Sequence, residues 1–239
     1  MINKFKKTSL YKKIVKKINK YCFTYPKLNS YGKIKYLNYD LEDWKSNKDG
    51  IKNGLGYSDI ILKWDFNYVY DVGCNKGLFL LWLCNNIKNK ISGMAVDASD
   101  TAIKKCLSNL KLNSATDNVY VLKGLVGYSG GKFIENSHSP ESKIVYGSEL
   151  GEEKIRISDA WATFMSTPCD LLKIDIEGAE YDLLSDPLEA YFLSKCKYIV
   201  IEYHKPIVNL SWIRDKFTSH RLLKFEEYEN VGYAYFQLK

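Results

Sequence analysis

One stretch constrains this chain more than any other. Tyr68 to Val72 is a short apolar run that breaks into Gly73-Cys74-Asn75-Lys76-Gly77 and opens at once into the apolar segment LFLLWLCNNI. A short apolar run closed by glycine reads as a buried strand, and the longer apolar segment after it as a helix. The pattern then repeats. Ile91–Val96 is a second apolar run, closed by Asp97 and followed by the amphipathic TAIKKCLSNLKL. Asn118–Leu122 reads as a third strand, and Leu171–Ile176 as a fourth with a short helix near Ala179–Leu184. Tyr198–Tyr203 is a fifth, with a helix from about Val208 to Thr218. The closing LLKFEEYENVGYAYFQL reads as two strands joined at Glu229–Gly232, a hairpin that adds an antiparallel strand to the sheet edge. Strand, helix, strand repeated with apolar strands predicts an α/β domain built on a parallel sheet flanked by helices.

At 239 residues, 46% hydrophobic and 26% charged, the chain is expected to be soluble and globular, with residues 57–239 as the domain. Residues 1–56 form a basic extension, in which Phe5, Leu10, Tyr11, Ile14, Val15, Ile18 and Tyr21 fall at near-helical spacing among lysines. Lys4, Lys6, Lys7, Lys12, Lys13, Lys16, Lys17 and Lys20 supply most of the net charge of +7, so the charge gives no strong nucleic-acid signal. The helix is expected to pack on the domain edge, with attachment to an anionic membrane surface as the weaker reading. Cys22, Cys74, Cys84, Cys106, Cys169 and Cys196 form no CxxC pair. They predict a reducing compartment, and with no apolar leader the expected location is cytoplasmic. Between 130 and 167 the pattern weakens around KFIEN, KIVYG and KIRIS, an insertion expected to face the substrate.

The glycines at 73 and 77 would let backbone N–H groups approach a ligand at a helix N-terminus. A dinucleotide fingerprint would read G-x-G-x-x-G, whereas here Asp71 opens D-x-G-x-x-x-G. A carboxylate beside the loop repels a pyrophosphate and suits a cationic ligand, which points to S-adenosylmethionine (SAM) and away from a nicotinamide cofactor. Asp97, with Ala98 beside it, ends the next strand where nucleotide-binding sheets place an acid on ribose hydroxyls. Ser99 or Asp100 is the better cap for the following helix.

Two later strands carry titratable residues two apart. Alternation puts Lys173 and Asp175 on one face of their strand, and Glu202 and His204 on one face of theirs. Lys173 with Glu202 is the candidate for a buried ion pair. Asp175, Glu177 and His204 lie nearer the strand ends, where open α/β sheets bind ligands. Asp-Val-Gly-Cys-Asn-Lys-Gly, Leu-Leu-Lys-Ile-Asp-Ile-Glu-Gly-Ala-Glu and Ile-Glu-Tyr-His together resemble the FkbM-type SAM-dependent methyltransferases, from about Tyr68 to His204. The resemblance implies a Rossmann-like class I methyltransferase fold, with a mostly parallel seven-stranded sheet and helices on both faces. It also implies an O-methyltransferase acting on sugars or natural products. By the same resemblance Asp71, Gly73 and Gly77, with Cys74 and Asn75 between them, hold the methionine end of SAM. Asp97 and Ala98 take the ribose, and Asp175 and Glu177 line the reacting site.

An alkyl hydroxyl attacks a methyl group only as its proton leaves, which calls for a base or a cation. His204 is the base of choice by its ordinary pKa of about 6.5. Asp175 or Glu177 could serve instead, or hold a divalent metal through hard oxygens, although no residue is assigned as a metal ligand. His138 and His220 are assigned nothing. Trp44, Tyr57, Tyr146 and Trp161 could stack on a carbohydrate acceptor. A lipid, a small metabolite or an RNA cap remains open as acceptor, as does a non-catalytic SAM-binding interaction module.

Overall fold

A computed structural model describes residues 57–87, 91–112, 119–127 and 169–239, and, as backbone, the strands at 131–134 and 143–146. The amphipathic N-terminal segment, the rest of residues 1–56, Cys22, Trp44, His138, KIRIS and Trp161 lie outside the described residues.

Strand β1 (Tyr68–Val72) takes the middle of a seven-stranded sheet. With β2 (Ser92–Asp97), β3 (Val119–Lys123), β6 (Leu171–Ile174), β7 (Tyr198–His204), β8 (His220–Glu227) and β9 (Val231–Leu238), the order is β3-β2-β1-β6-β7-β9-β8. β9 runs antiparallel between β7 and β8, and the pairings from β3 through β7 are parallel. The hairpin thus supplies β9 as the antiparallel strand and β8 outside it at the edge, in keeping with the expected seven-stranded sheet. β4 (Gly131–Ile134) and β5 (Lys143–Tyr146) form a separate antiparallel pair within the expected insertion.

Successive side chains of each strand point to opposite faces, and the sheet buries both. Val69, Ala95, Leu171 and Val200 face one apolar cluster with Leu80, Leu81 and Leu83 of α1 (Leu78–Asn86) and Cys106 and Leu110 of α2 (Asp100–Leu112). Tyr70, Met94, Leu172 and Ile199 face the other. There they meet Leu183 and Leu184 of α3 (Glu180–Ser185), Leu193 of α4 (Pro187–Leu193) and Ile213 of α5 (Leu210–Lys216). Each fully buried leucine is worth about 1.5–3 kcal/mol, so helices on both faces hold the central strands in place.

Helices α2, α4 and α5 begin where short polar side chains stop the backbone N–H groups from going unpaired. Ser99 Oγ accepts from Ala102 N–H at the head of α2, and Asn209 from Trp212 N–H at the head of α5. Helix α4 was not expected from the sequence, although its signal is present. Asp186 accepts from Leu188 and Glu189 N–H, and Pro187 takes the first helical position. β6 ends at Ile174, two residues before the sequence suggested, because the chain turns through Glu177 at φ +52° and Gly178 at φ +101°.

Candidate active site

Gly73 leaves β1 at φ +79°, and a Cβ there would lie 1.6 Å from the carbonyl oxygen of Asp175. Only glycine lets the loop cross so close to the end of β6. Gly73 and Cys74 both donate their N–H to Val96 O, and Gly77 donates to Cys74 O, so the loop is clamped between β1 and β2. Gly77 (φ +76°) lies against Cys106, whose Sγ a Cβ would approach to 2.7 Å. The Cys74 side chain turns inward to the apolar cluster, and its thiol's hydrogen bond to Cys106, together with burial, raises its pKa. Asn75, at φ +47°, is exposed and sends its N–H 2.8 Å to Asp97 Oδ2. Asp97 Oδ1 accepts from Ser99 N–H, so the Asp97 carboxylate spans the β1 and β2 loops with Ala98 partly exposed beside it.

Asp71 is fully buried. Register places it directly beside Lys173, whose Nζ lies 3.1 Å from Asp71 Oδ1, 3.3 Å from Asp175 Oδ2 and 2.6 Å from the Gly73 carbonyl. The buried partner of Lys173 is therefore Asp71 with Asp175, not Glu202. β7 sets Val200 opposite Lys173, and Glu202 falls two residues further along. Burial pushes the Asp71 carboxyl up to about 6 against the attraction of Lys173. Burial works against the Lys173 ammonium as well, but Asp175 and Asp71 hold it charged, with its pKa above the ordinary lysine value. Glu202, beyond that pair, is pushed up to about 8 by burial and by Asp175.

The outer part of the site is built from Asp175, Glu177 and His204, whose ligand-type atoms all lie within 4.8 Å of one another. Tyr57 Oη donates to Asp175 Oδ2 at 3.1 Å. His204 Nε2 is 3.3 Å from Glu177 Oε2, and Nδ1 is 3.1 Å from Glu180 Oε1. Glu180 is fully buried and also accepts from the N–H groups of Ile176 and Gly178, which fixes the turn that presents Glu177. Although burial opposes it, the two glutamates push the His204 pKa up to about 11. The ring therefore keeps both protons at neutral pH and is a poor proton acceptor as it stands, whatever its ordinary pKa. His220, by contrast, is buried away from this cluster and bonded to Cys196 O.

The sequence-expected residues thus divide into a loop group (Asp71, Gly73, Cys74, Asn75, Gly77, Asp97, Ala98) and a strand-end group (Asp175, Glu177, His204), joined where Gly73 meets Asp175. Sequence reasoning missed Glu180 as a member of this site, and offered Tyr57 for stacking on the acceptor rather than as the donor to Asp175. Tyr57 is buried edge-on against Phe79 and Tyr233, so it offers no face for stacking on an acceptor. Glu180 carries a faint signal, an acid in the first turn of a helix that follows a strand, but only the closed turn shows its target.

A β3-β2-β1-β6-β7-β9-β8 sheet with one antiparallel strand, a glycine loop after the central strand and an acid ending the next one defines a Rossmann-like class I methyltransferase whose cofactor is SAM. The chain belongs to the FkbM methyltransferase family, whose description is Methyltransferase FkbM domain and which matches residues 71–235. Similar solved structures include TrmK of M. capricolum in complex with S-adenosyl-homocysteine, at 12% identity and TM-score 0.48, covering 75% of this chain and 66% of that one. An O-methyltransferase from Bacillus cereus, also in complex with S-adenosyl-homocysteine, gives 13% identity and TM-score 0.49 over 80% and 81% of the two chains. A SAM-dependent methyltransferase from Aquifex aeolicus gives 16% identity and TM-score 0.47 over 84% and 100%. No curated protein matches the chain by sequence. Among the described residues, no helix is long and apolar enough to cross a membrane.

Proposed function

We propose that this protein transfers the methyl group of SAM to a hydroxyl, that of a sugar in a glycan or glycoconjugate. The observation that carries the reading is the placement of Asp175, Glu177 and His204 at the strand ends, joined to the glycine loop through the Gly73–Asp175 contact. Carboxylates close to a cationic ring suit an alcohol, which must be held by its oxygen and relieved of its proton before it can attack. Membership of the FkbM family supports a hydroxyl of a sugar or natural product as acceptor.

The loop fits the cofactor. The positive-φ glycines keep side chains out of its crossing, and the Asp97 carboxylate keeps lone pairs beyond its two backbone bonds for vicinal ribose hydroxyls. When bound, SAM supplies an electrophilic methyl on a sulfonium. Asp71 and Lys173 hold the loop's underside with nearly balanced charge, and the loop orients the donor by backbone contact. Asp175 and Glu177 then accept the hydrogen bond of the acceptor hydroxyl. The proton passes to one of these carboxylates, because His204 is already protonated between Glu177 and Glu180. The described cysteines are all free, which supports a reducing, cytoplasmic setting.

The experiment is incubation with isotope-labelled SAM and a panel of glycans, followed by mass spectrometry of the products. Label in a sugar O-methyl ether supports the proposal. Label only in amines, or tight SAM binding with no transfer to any hydroxyl acceptor, removes it.

A further inference from the structure

We infer that Asp175, Glu177 and His204 form a binding site for one divalent first-row transition-metal ion, at which the acceptor hydroxyl is held. The inference rests on the proposed reading of this site as the acceptor pocket, and adds an ion to it. Octahedral ligands about 2.1 Å from a metal stand about 3.0 Å apart when adjacent and about 4.2 Å apart when opposite. Atoms at 3.3 Å, all within 4.8 Å of one another, need only small side-chain adjustments to meet that spacing.

The orientation of each ligand favours an ion. Both partners of Asp175, Tyr57 and Lys173, engage Oδ2, which leaves Oδ1 for a further contact. His204 spends Nδ1–H on Glu180 and turns Nε2 toward Glu177, and an ion entering there would displace the Nε2 proton that the metal-free ring carries. A metal-bound histidine whose second nitrogen donates to a carboxylate is the arrangement that fixes the ring's tautomer and raises its basicity as a ligand. A separate observation comes from Glu180, which is not itself in the triad. Its carboxylate is fully buried against the His204 ring, yet Oε2 has no hydrogen-bond partner among the described residues. A buried carboxylate oxygen left without a donor is costly, and a cation bound at the neighbouring His204 would offset part of that cost. The charges around the cluster agree. Among the described residues, Asp71, Asp175, Glu177 and Glu180 face one lysine, Lys173, and the His204 ring.

Two carboxylates and an imidazole choose the kind of ion. Calcium takes six to eight oxygens and magnesium keeps mostly water, whereas a nitrogen ligand beside two oxygens suits manganese, iron or zinc. Glu177 is half exposed, so the ion would keep positions open on the solvent side. A hydroxyl taking one of them would be fixed by its oxygen and would ionise more readily.

The test uses the full chain stripped with EDTA. Manganese is titrated in, and the free ion is followed by electron paramagnetic resonance with and without SAM. One manganese per chain is expected, with affinity weakened at least tenfold in Glu177→Gln and in His204→Gln, and unchanged in Glu229→Gln, an exposed turn residue. Wild-type protein gives a second readout that needs no variant, since bound manganese should broaden the ring signals of His204 and spare those of His220. No binding up to millimolar ion, wild-type affinity in both site variants, or unbroadened His204 signals would overturn the inference. SAM affinity of the stripped protein is measured alongside. SAM binding without manganese binding sinks the ion site and leaves the proposed function standing, and the converse sinks the proposed function and the ion's role in holding an acceptor, leaving the ion site itself.

Discussion

Gly73 and Lys173 do the most at the scale of single residues. Gly73→Ala adds a methyl 1.6 Å from the Asp175 carbonyl in a left-handed backbone, so both strain and collision must be relieved by moving the end of β6. The expected loss is roughly 3 kcal/mol or more of stability, with SAM binding reduced below detection; urea unfolding and titration calorimetry read the two effects. Lys173→Met leaves Asp71 and Asp175 facing each other without their shared cation, an expected cost of about 3–5 kcal/mol. If the charges act as a unit, adding Asp71→Asn to Lys173→Met should restore part of the loss, a non-additivity seen in a denaturation cycle. The sequence displayed Asp175, Glu177 and His204 as site candidates because charged residues stand out inside apolar strands. It could not show that Lys173 pairs with Asp71, since the choice depends on which strands lie side by side and in what register. Nor could it show that His204 lies between two glutamates, one of which arrives from the next helix.

Among the elements, the edge hairpin is tied to the body of the sheet through His220 at the start of β8. The Cys196 carbonyl can only accept, so His220 Nε2–H donates to it at 2.8 Å, and Nδ1 of the neutral ring accepts from Ser219 Oγ–H. Burial lowers the His220 pKa. The unfolded chain therefore takes up a proton near pH 6.5 that the folded chain refuses. The stability that His220 contributes is present above about pH 6.5 and is lost as pH falls through the lower folded-state value. Because Asp71, Glu202 and His204 titrate in the opposite sense, that loss is read as the difference between wild type and His220→Gln, which keeps a donor for Cys196 O, in chemical denaturation between pH 7.5 and 5. Most strands were legible because each is an apolar run buried on both faces. Their ends shifted by a residue or two because pairing, not hydropathy, decides where a ladder stops. Helix α4 went unread although Asp186-Pro187 marks its start, because its few apolar residues showed no clear period.

For the whole molecule, two apolar clusters grip the sheet from opposite faces, and the cofactor loop lies on its ligand side at the C-terminal ends of β1 and β2. A ligand that binds only the folded state stabilises it by about 2.7 kcal/mol at a hundredfold excess over Kd. For a chain of this size that corresponds to a rise of about 5–10 °C in Tm. SAM should produce such a rise in a thermal melt, NADH should not, and Asp97→Ala should diminish the rise without lowering the ligand-free Tm by a comparable amount. The crossing at Gly73 carries a further consequence. In the proposed reading the donor's floor rests on the same backbone that begins the acceptor's wall, so neither can be remodelled alone. Attempts to broaden what this enzyme methylates should therefore succeed by altering walls remote from positions 73 and 175, and repeatedly fail at that shared hinge.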